Sequence, residues 1–282
     1  MDNILNTIAK ATKLRVENSK ERLPLSKIKE KIYEASHLPD YLSQEAFPFE
    51  KALKKPGISF ICEVKKASPS KGIIDPVYPY IQIAKEYEKA EADAVSVLTE
   101  PDFFKGDNEH LQNIRKNISL PILRKDFTVD EYQIYEAKYL GADAVLLICA
   151  LLDEENIKNF ISICDKLGLS ALVEAHTEEE IKAAIRAGAR IIGVNNRDLK
   201  TFRVDVSNSI RLRKLVPKDI CFVSESGIQN HEDILRLQDS GVDAVLIGES
   251  LMRSTNKKEK LKSLRSEERR VGKECPSLCR SR

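Results

Sequence analysis

Short apolar runs in this chain alternate with stretches whose apolar residues recur every three or four positions. Four runs end in charge: 58–65 (ISFICEVK), 119–126 (SLPILRKD), 169–175 (LSALVEA) and 219–226 (DICFVSES). Four others lie between them: 92–100 (ADAVSVLTE), 142–149 (ADAVLLIC), 189–195 (ARIIGVN) and 242–248 (VDAVLIG). Three of this second set carry Asp-Ala-Val and recur at roughly 50-residue intervals, which is a repeat. Interleaved, the two sets predict eight strands about 25 residues apart, with a helical pattern after each. Strand–helix alternation implies parallel βαβ units. Eight units in a chain of this length predict an α/β fold, the (β/α)8 barrel. An open doubly wound sheet is the competitor, and the phase-locked odd and even strands suit a closed barrel better.

The helical stretches are predicted at 80–89, 109–117, 131–140, 154–167, 179–187, 207–215, 231–239 and 250–261. Thr128 with Glu131, and Thr177 with Glu180, have capping-box spacing. Gly141, Gly188 and Gly241 stand where helices should end. Before the first strand, Ile4, Leu5, Ile8 and Ala11 share one helical face, and Leu25, Ile28, Ile32 and Ala35 share another. We read residues 1–50 as a helical extension packed on a barrel of residues 51–264, together one domain. Residues 265–282 read as foreign, because RSEERRVGKEC resembles the in-frame translation of a sequencing adapter. A non-native or disordered tail is expected there, and no chemistry is assigned to Cys275 or Cys279.

The 282 residues are 42% hydrophobic, ample for one large core, and carry a net charge of +2. That near balance points to neither a nucleic-acid nor a membrane partner. No run approaches a membrane span, the N-terminus lacks a signal core, and a cytoplasmic protein is expected. Cys62, Cys149, Cys164 and Cys221 read as small buried hydrophobes with reduced thiols. The four histidines do not pair at ligand spacing, so no metal is expected.

Barrel active sites lie at the C-terminal strand ends, where the charges fall. Glu63 and Lys65 are two apart on strand one and face the same way. Lys125 ends strand three, Glu174 strand five, Asn195 and Arg197 strand six, and Glu225 strand seven. Three carboxylates with two ammonium groups suit general acid–base chemistry. A ring of structural salt bridges is the plainer reading. Ser226 and Gly227 after strand seven, with Gly248, Glu249 and Ser250 after strand eight, stand where barrels often hold a phosphate. The loop 67–72 after strand one adds hydroxyls and a lysine. Phe104 and Phe127 could wall an aromatic substrate or simply pack. No dinucleotide or P-loop glycine pattern occurs. The residues alone reach a phosphate-bearing small molecule and an acid–base reaction at carbon.

The motifs go further. Glu63-Val-Lys65-Lys-Ala-Ser68-Pro-Ser-Lys-Gly72 resembles the signature of the indole-3-glycerol-phosphate synthases. So do Ser96-Val-Leu-Thr-Glu100 with Phe103-Phe-Lys-Gly106, Pro121-Ile-Leu-Arg-Lys-Asp-Phe127, Leu172-Val-Glu174, Gly193-Val-Asn-Asn-Arg-Asp-Leu199, Ser224-Glu-Ser-Gly-Ile228 and Ile247-Gly-Glu-Ser-Leu-Met252. Asp107 departs from the pattern, where Ser is more usual. The resemblance implies a step of tryptophan biosynthesis. The substrate would be 1-(2-carboxyphenylamino)-1-deoxyribulose 5-phosphate, which undergoes ring closure, decarboxylation and dehydration without a cofactor. It assigns Lys125 as the general acid at the ribulose carbonyl and Lys65 to the substrate carboxylate. Glu174 would assist dehydration and Glu63 a cationic intermediate. Asn195 would orient hydroxyls with Glu225 nearby, and Arg197 would meet an anionic group. Ser226, Gly227, Gly248 and Glu249 would hold phosphate, while Ser68, Phe104, Phe127 and Leu199 would line the anthranilate side. A monomer is expected, and association with other tryptophan-pathway enzymes stays open. The rivals are another phosphate-binding barrel, such as the isomerase that makes this substrate, a non-catalytic sugar-phosphate barrel, and a structural barrel.

Overall fold

The computed structural model describes residues 4–37, 46–198 and 203–265. The eight apolar runs form β1 (Ser59–Val64), β2 (Ala94–Leu98), β3 (Ile122–Lys125), β4 (Ala144–Ile148), β5 (Ser170–Ala175), β6 (Ile191–Asn195), β7 (Cys221–Glu225) and β8 (Ala244–Ile247). Each pairs in parallel with its sequence neighbours, and β1 pairs with β8 to close the barrel. Strands are a little shorter than the apolar runs, and Cys149 lies just beyond β4.

Because side chains alternate along a strand, each strand feeds two compartments. Phe60, Cys62 and Val64 of β1 face the helices, while Ile61 joins the barrel interior. The inward positions stack in layers of four taken from alternate strands. Ile61, Leu123, Leu172 and Val223 of the odd strands form one layer, each fully buried. Two residues further on, the same strands carry Glu63, Lys125, Glu174 and Glu225. The charges seen at four strand ends are therefore one layer of the barrel, resting on an aliphatic one.

The Asp-Ala-Val repeat has a structural cause at the opposite end. Asp93 accepts from Phe60 N at 2.8 Å, Asp143 from Ile122 N at 2.8 Å and Asp243 from Phe222 N at 2.7 Å. Each aspartate precedes an even strand and takes a free N–H of the odd strand before it, fastening β1 to β2, β3 to β4 and β7 to β8. The pair β5–β6 has Arg190 at that position, which binds Glu50 and Asp165 instead.

The helices are α1 (Ile4–Arg22), α2 (Leu25–Ser36), α3 (Pro48–Leu53), α4 (Tyr80–Lys89), α5 (Asn108–Arg115), α6 (Glu131–Leu140), α7 (Glu154–Lys166), α8 (Glu178–Arg186), α9 (Ser207–Arg213), α10 (His231–Asp239), α11 (Glu249–Met252) and α12 (Lys257–Arg265). Thr177 and Glu180 form the predicted capping box, and Gly141, Gly188 and Gly241 follow their helices with positive φ. Two expectations are corrected. Asp130, not Thr128, caps α6, because the helix starts at Glu131 and Thr128 lies too early to reach its first turn. The helix predicted at 250–261 is two helices, α11 and α12. Ser254 Oγ bonds Asn256 O, and Asn256 Oδ1 takes Glu259 N, so these side chains end one helix and start the next.

The N-terminal extension covers both ends of the barrel. At the base, Phe49 and Leu53 of α3 are fully buried in the interior cluster. At the top, Leu5 and Ile8 of α1 join that same cluster. Val16 and Ile28 pack with Tyr132 of α6, which docks α1 and α2 against the barrel wall. The tail 266–282 lies outside the described residues. Arg265, placed in the tail by sequence, ends α12, and its guanidinium reaches Ala90 O and Asp93. Cys62, Cys164 and Cys221 are buried and Cys149 half-buried; burial pushes the last three thiols up to about 12. No helix among the described residues is long and apolar enough to cross a membrane.

Candidate active site

A cavity of about 790 Å³ opens above the charged layer. It is lined by Glu63, Lys65, Ser68, Phe104, Lys125, Phe127, Glu174, Asn195, Arg197, Glu225, Ser226, Gly227, Gly248 and Glu249. These are the residues singled out from sequence, with one exception: Leu199 lies outside the described residues.

Lys125 is the hub. Its Nζ stands 3.2 Å from Glu174 Oε2 and 3.1 Å from Glu225 Oε2. Burial works against its charge, but Glu225, Glu174 and Glu63 outweigh burial and hold its pKa above the usual lysine range. The two carboxylates diverge. Burial raises Glu225, Lys125 only partly offsets this, and repulsion from Glu174 and Glu63 adds to it, so the group is pushed up to about 7. Burial also opposes ionisation of Glu174, but Lys125 and His176 prevail and hold it below the ordinary range. One carboxylate is thus firmly ionised and its neighbour poised near neutrality, an arrangement that separates base from acid.

Glu63 pairs with Lys65, which their spacing had placed on the same side of the strand. Gly248 makes room for that pair: a Cβ there would collide with the Glu63 carboxylate and press on Lys65 Nζ. Asn195 presents Nδ2 to Glu174 at 3.5 Å and accepts Arg197 N at 3.0 Å, so the turn after β6 is tied to the layer.

The two aromatic residues face each other across the rim, ring centroids 6.1 Å apart. Buried acids fix both. Glu100 accepts the N–H groups of Asp102, Phe103 and Phe104 at 2.7–3.1 Å, and Asp126 accepts that of Phe127 at 2.8 Å. Arg15 of α1 bridges Glu100 and Asp126 at 3.2 and 3.4 Å. Asp107, the departure from the family pattern, caps α5 by accepting Glu109 N.

On the opposite rim, Ser226 and Gly227 both adopt positive φ, and Gly248 starts the four-residue helix α11. Glycine at 227 is required twice over, since a Cβ would also strike Val204. Glu249 gathers cations there: Arg253 at 3.2 Å, Lys71 at 3.6 Å and Arg197 at 4.0 Å. These are the surroundings an anionic group would meet.

Sequence reasoning missed several cavity residues. Ile4, Leu5 and Ile8 were read as packing only, yet they roof the cavity. Arg253 directly follows the strand-eight motif, one helical turn after Glu249, and was not singled out. His176, which does not line the cavity but stands behind Glu174, did give a signal: it follows Glu174 by two residues, the spacing that had linked Glu63 to Lys65. Among the described residues, no three histidine, cysteine or carboxylate side chains are placed to hold a metal ion.

The chain is similar over nearly its whole length to proteins of one kind. The sequence profile of the indole-3-glycerol phosphate synthase family matches residues 5–264. An indole-3-glycerol phosphate synthase of Ruminiclostridium cellulolyticum is 58% identical over 262 residues, 93% of this chain and 98% of the relative. Those of Endomicrobium trichonymphae and Lachnoclostridium phytofermentans are 53% and 49% identical, each over 93% of this chain and 99% of the relative. Among solved structures, 3-hexulose-6-phosphate synthase from Salmonella typhimurium superposes with a TM-score of 0.61 at 13% identity, over 73% of this chain and 96% of that one, a likeness of fold alone. With its barrel closed, its charged layer assembled and its sequence matched from end to end of the described fold, the chain belongs to the indole-3-glycerol phosphate synthase family.

Proposed function

We propose that this barrel converts 1-(2-carboxyphenylamino)-1-deoxyribulose 5-phosphate to indole-3-glycerol phosphate by ring closure, decarboxylation and dehydration. The observation that carries the reading is Lys125, held charged between Glu174 and Glu225 at the floor of the cavity. The aromatic ring lies between Phe104 and Phe127, near Ser68. The phosphate sits at the opposite rim, on the backbone of Ser226, Gly227, Gly248 and Glu249, with Arg253 and Lys71 close by. This polarity brings the ribulose carbonyl over Lys125.

As the ring carbon attacks, the carbonyl oxygen becomes an alkoxide, a far stronger base than an amine. Lys125 protonates it despite its raised pKa. Lys65 meets the substrate carboxylate and positions it. Glu63 stabilises the positive charge that develops on nitrogen before CO2 leaves, and it also holds Lys65. Glu174 removes the methylene proton in dehydration, which its low pKa permits only beside a strongly activated C–H. Asn195 orients hydroxyls, Glu225 stands beside Lys125 as a poised carboxyl, and Arg197 contacts an anionic group. Each positioned acid or base is typically worth about 10²–10⁴ in rate.

The chain contains no tryptophan, so product indole can be followed by fluorescence without protein indole background. A catalytic rise with the purified protein and this substrate is the expected result. Substrate binding without a rise would make the molecule a binding barrel.

A further inference from the structure

The proposed reaction takes up one proton per turnover. A ring C–C bond forms as the carbonyl π bond becomes an alkoxide. The C–CO2 bond then breaks, and its electron pair restores the aromatic ring. The former carbonyl oxygen leaves as water, so it must collect two protons. One is recovered from the methylene carbon that enters the pyrrole. The other must come from solvent. Yet Lys125, Glu174 and Glu225 have side chains only 13%, 4% and 2% exposed, beneath a mouth that the substrate fills.

We infer that His176 supplies this proton, in a relay that runs Glu180, His176, Glu174, Lys125 from the barrel surface to the reacting layer. The inference rests on the roles given above to Lys125 and Glu174. His176 Nε2 lies 3.7 Å from Glu174 Oε1, and Nδ1 lies 3.6 Å from Glu180 Oε2. Nε2 is buried and has no hydrogen-bond partner. Contraction by less than an ångström would bring both ends into transfer range, and such contacts commonly tighten when substrate binds. Glu180 is fixed: its Oε2 accepts the backbone N–H groups of His176 at 2.5 Å and Thr177 at 3.3 Å within the α8 capping box. Its side chain is 22% exposed and so reaches water.

The charged groups acting on the imidazole are Glu180 from α8 and Glu174 and Glu225 from the barrel layer. Burial opposes its charge, but these three outweigh burial and raise the imidazole above its ordinary value, which favours the doubly protonated ring that starts the relay. The transfers balance simply. After Lys125 has given up its proton, His176 passes the Nε2 proton to Glu174 Oε1. Glu174 rotates about its terminal torsion and returns the proton to Lys125 Nζ. His176 is left neutral with its remaining proton on Nδ1 beside Glu180, and its bare Nε2 regains a proton from solvent when the partly exposed ring turns outward between turnovers.

The test compares a single turnover, with enzyme in excess, against steady state. Wild-type protein comes first: no indole would sink the proposed reaction, and the relay with it. With the wild type active, H176N and H176A should keep a near-normal first ring closure, because Lys125 starts out charged. Their steady-state kcat should fall at least about tenfold, given the usual worth of a positioned acid–base group. KM should change little, and added imidazole should restore kcat in H176A. An equal loss in both regimes without imidazole rescue would make His176 merely structural. No loss in either would mean that the proton enters by the mouth of the cavity. Either outcome overturns the relay.

Discussion

Gly193 of β6 leaves the space that the Glu225 carboxylate of β7 occupies: a Cβ at 193 would overlap Glu225 Oε1 and press on Leu172 Cδ1. That oxygen has no hydrogen-bond partner, while Oε2 of the same group holds Lys125. The glycine therefore sets how far Lys125 is drawn toward β7. Gly193→Ala should push Glu225 sideways and let Lys125 swing toward Glu174. Overpacking a filled core typically costs about 1–3 kcal/mol, so the variant should fold with a lowered melting temperature. Its kcat should fall by roughly tenfold or more, as expected when a positioned acid is misplaced. Unchanged kcat at reduced stability would show that the hub tolerates this displacement.

Lys125 can be probed by Lys125→Met, which keeps most of the volume and removes the charge. Turnover should drop by several decades with substrate binding partly kept, the signature of a group acting mainly in the transition state. The same change leaves Glu174 and Glu225 facing each other without their shared cation. Glu225 should then protonate still more readily, and the fold should survive. Chemical quench experiments that show no ring-closed intermediate would place the block at the first step. Near-normal turnover would remove Lys125 from the mechanism.

The layer that these variants probe was legible in the sequence because it follows a strict geometric rule. Ile61 and Glu63, Leu123 and Lys125, Leu172 and Glu174, and Val223 and Glu225 each stand two apart on an odd strand, so the charge must lie directly above the aliphatic layer. The Asp-Ala-Val repeat was visible for a related reason: Asp93, Asp143 and Asp243 do the same work three times. What stayed hidden depends on contacts between residues distant in sequence. Nothing near Arg15 indicates that it meets Glu100 and Asp126, and nothing near Ile8 indicates a roof over the cavity. The break at 253–256 was hidden for the opposite reason. Ser254 and Asn256 end and restart a helix by local hydrogen bonds, while the apolar spacing runs through them undisturbed.

Arg15 offers a test of how the aromatic wall is held. It also hydrogen-bonds Thr12 at 3.0 Å, so one guanidinium joins α1 to the loops that carry Phe104 and Phe127. Arg15→Ala removes those links but leaves Glu100 its three backbone donors. Hydrogen bonds to charged groups are worth about 1.5–3 kcal/mol each, and the partial exposure of Arg15 reduces that. A loss of about 1–2 kcal/mol in urea unfolding is the expected outcome. KM should rise more than kcat falls, since Arg15 touches the walls and not the reacting layer. A kcat loss as deep as that of Lys125→Met would show that α1 controls the layer itself.

Glu225 also makes stability depend on pH in a direction that can be worked out. Its carboxyl is raised from 4.5 to about 7 in the folded protein. Between those values the folded state holds a proton that the unfolded chain releases. The stabilisation is fully present below about pH 4.5 and is lost as pH rises through 7. A tenfold change in proton affinity is worth about 1.4 kcal/mol, so the whole effect is on the order of 3 kcal/mol. Glu174 does not confuse the window, because its lowered value places its titration beneath it. His176 is raised above its ordinary value in the fold and would add its own pH dependence, so the comparison is best made in the H176N background. There, the stability of the protein with Glu225 relative to Glu225→Gln should decline by up to about 3 kcal/mol from pH 4.5 to 8. The glutamine variant should lack that slope, because its amide keeps the shape of the protonated acid and cannot ionise. A difference that is flat with pH, or grows with it, would mean that Lys125 holds Glu225 ionised throughout. The division of the layer into one ionised and one poised carboxylate would then be wrong.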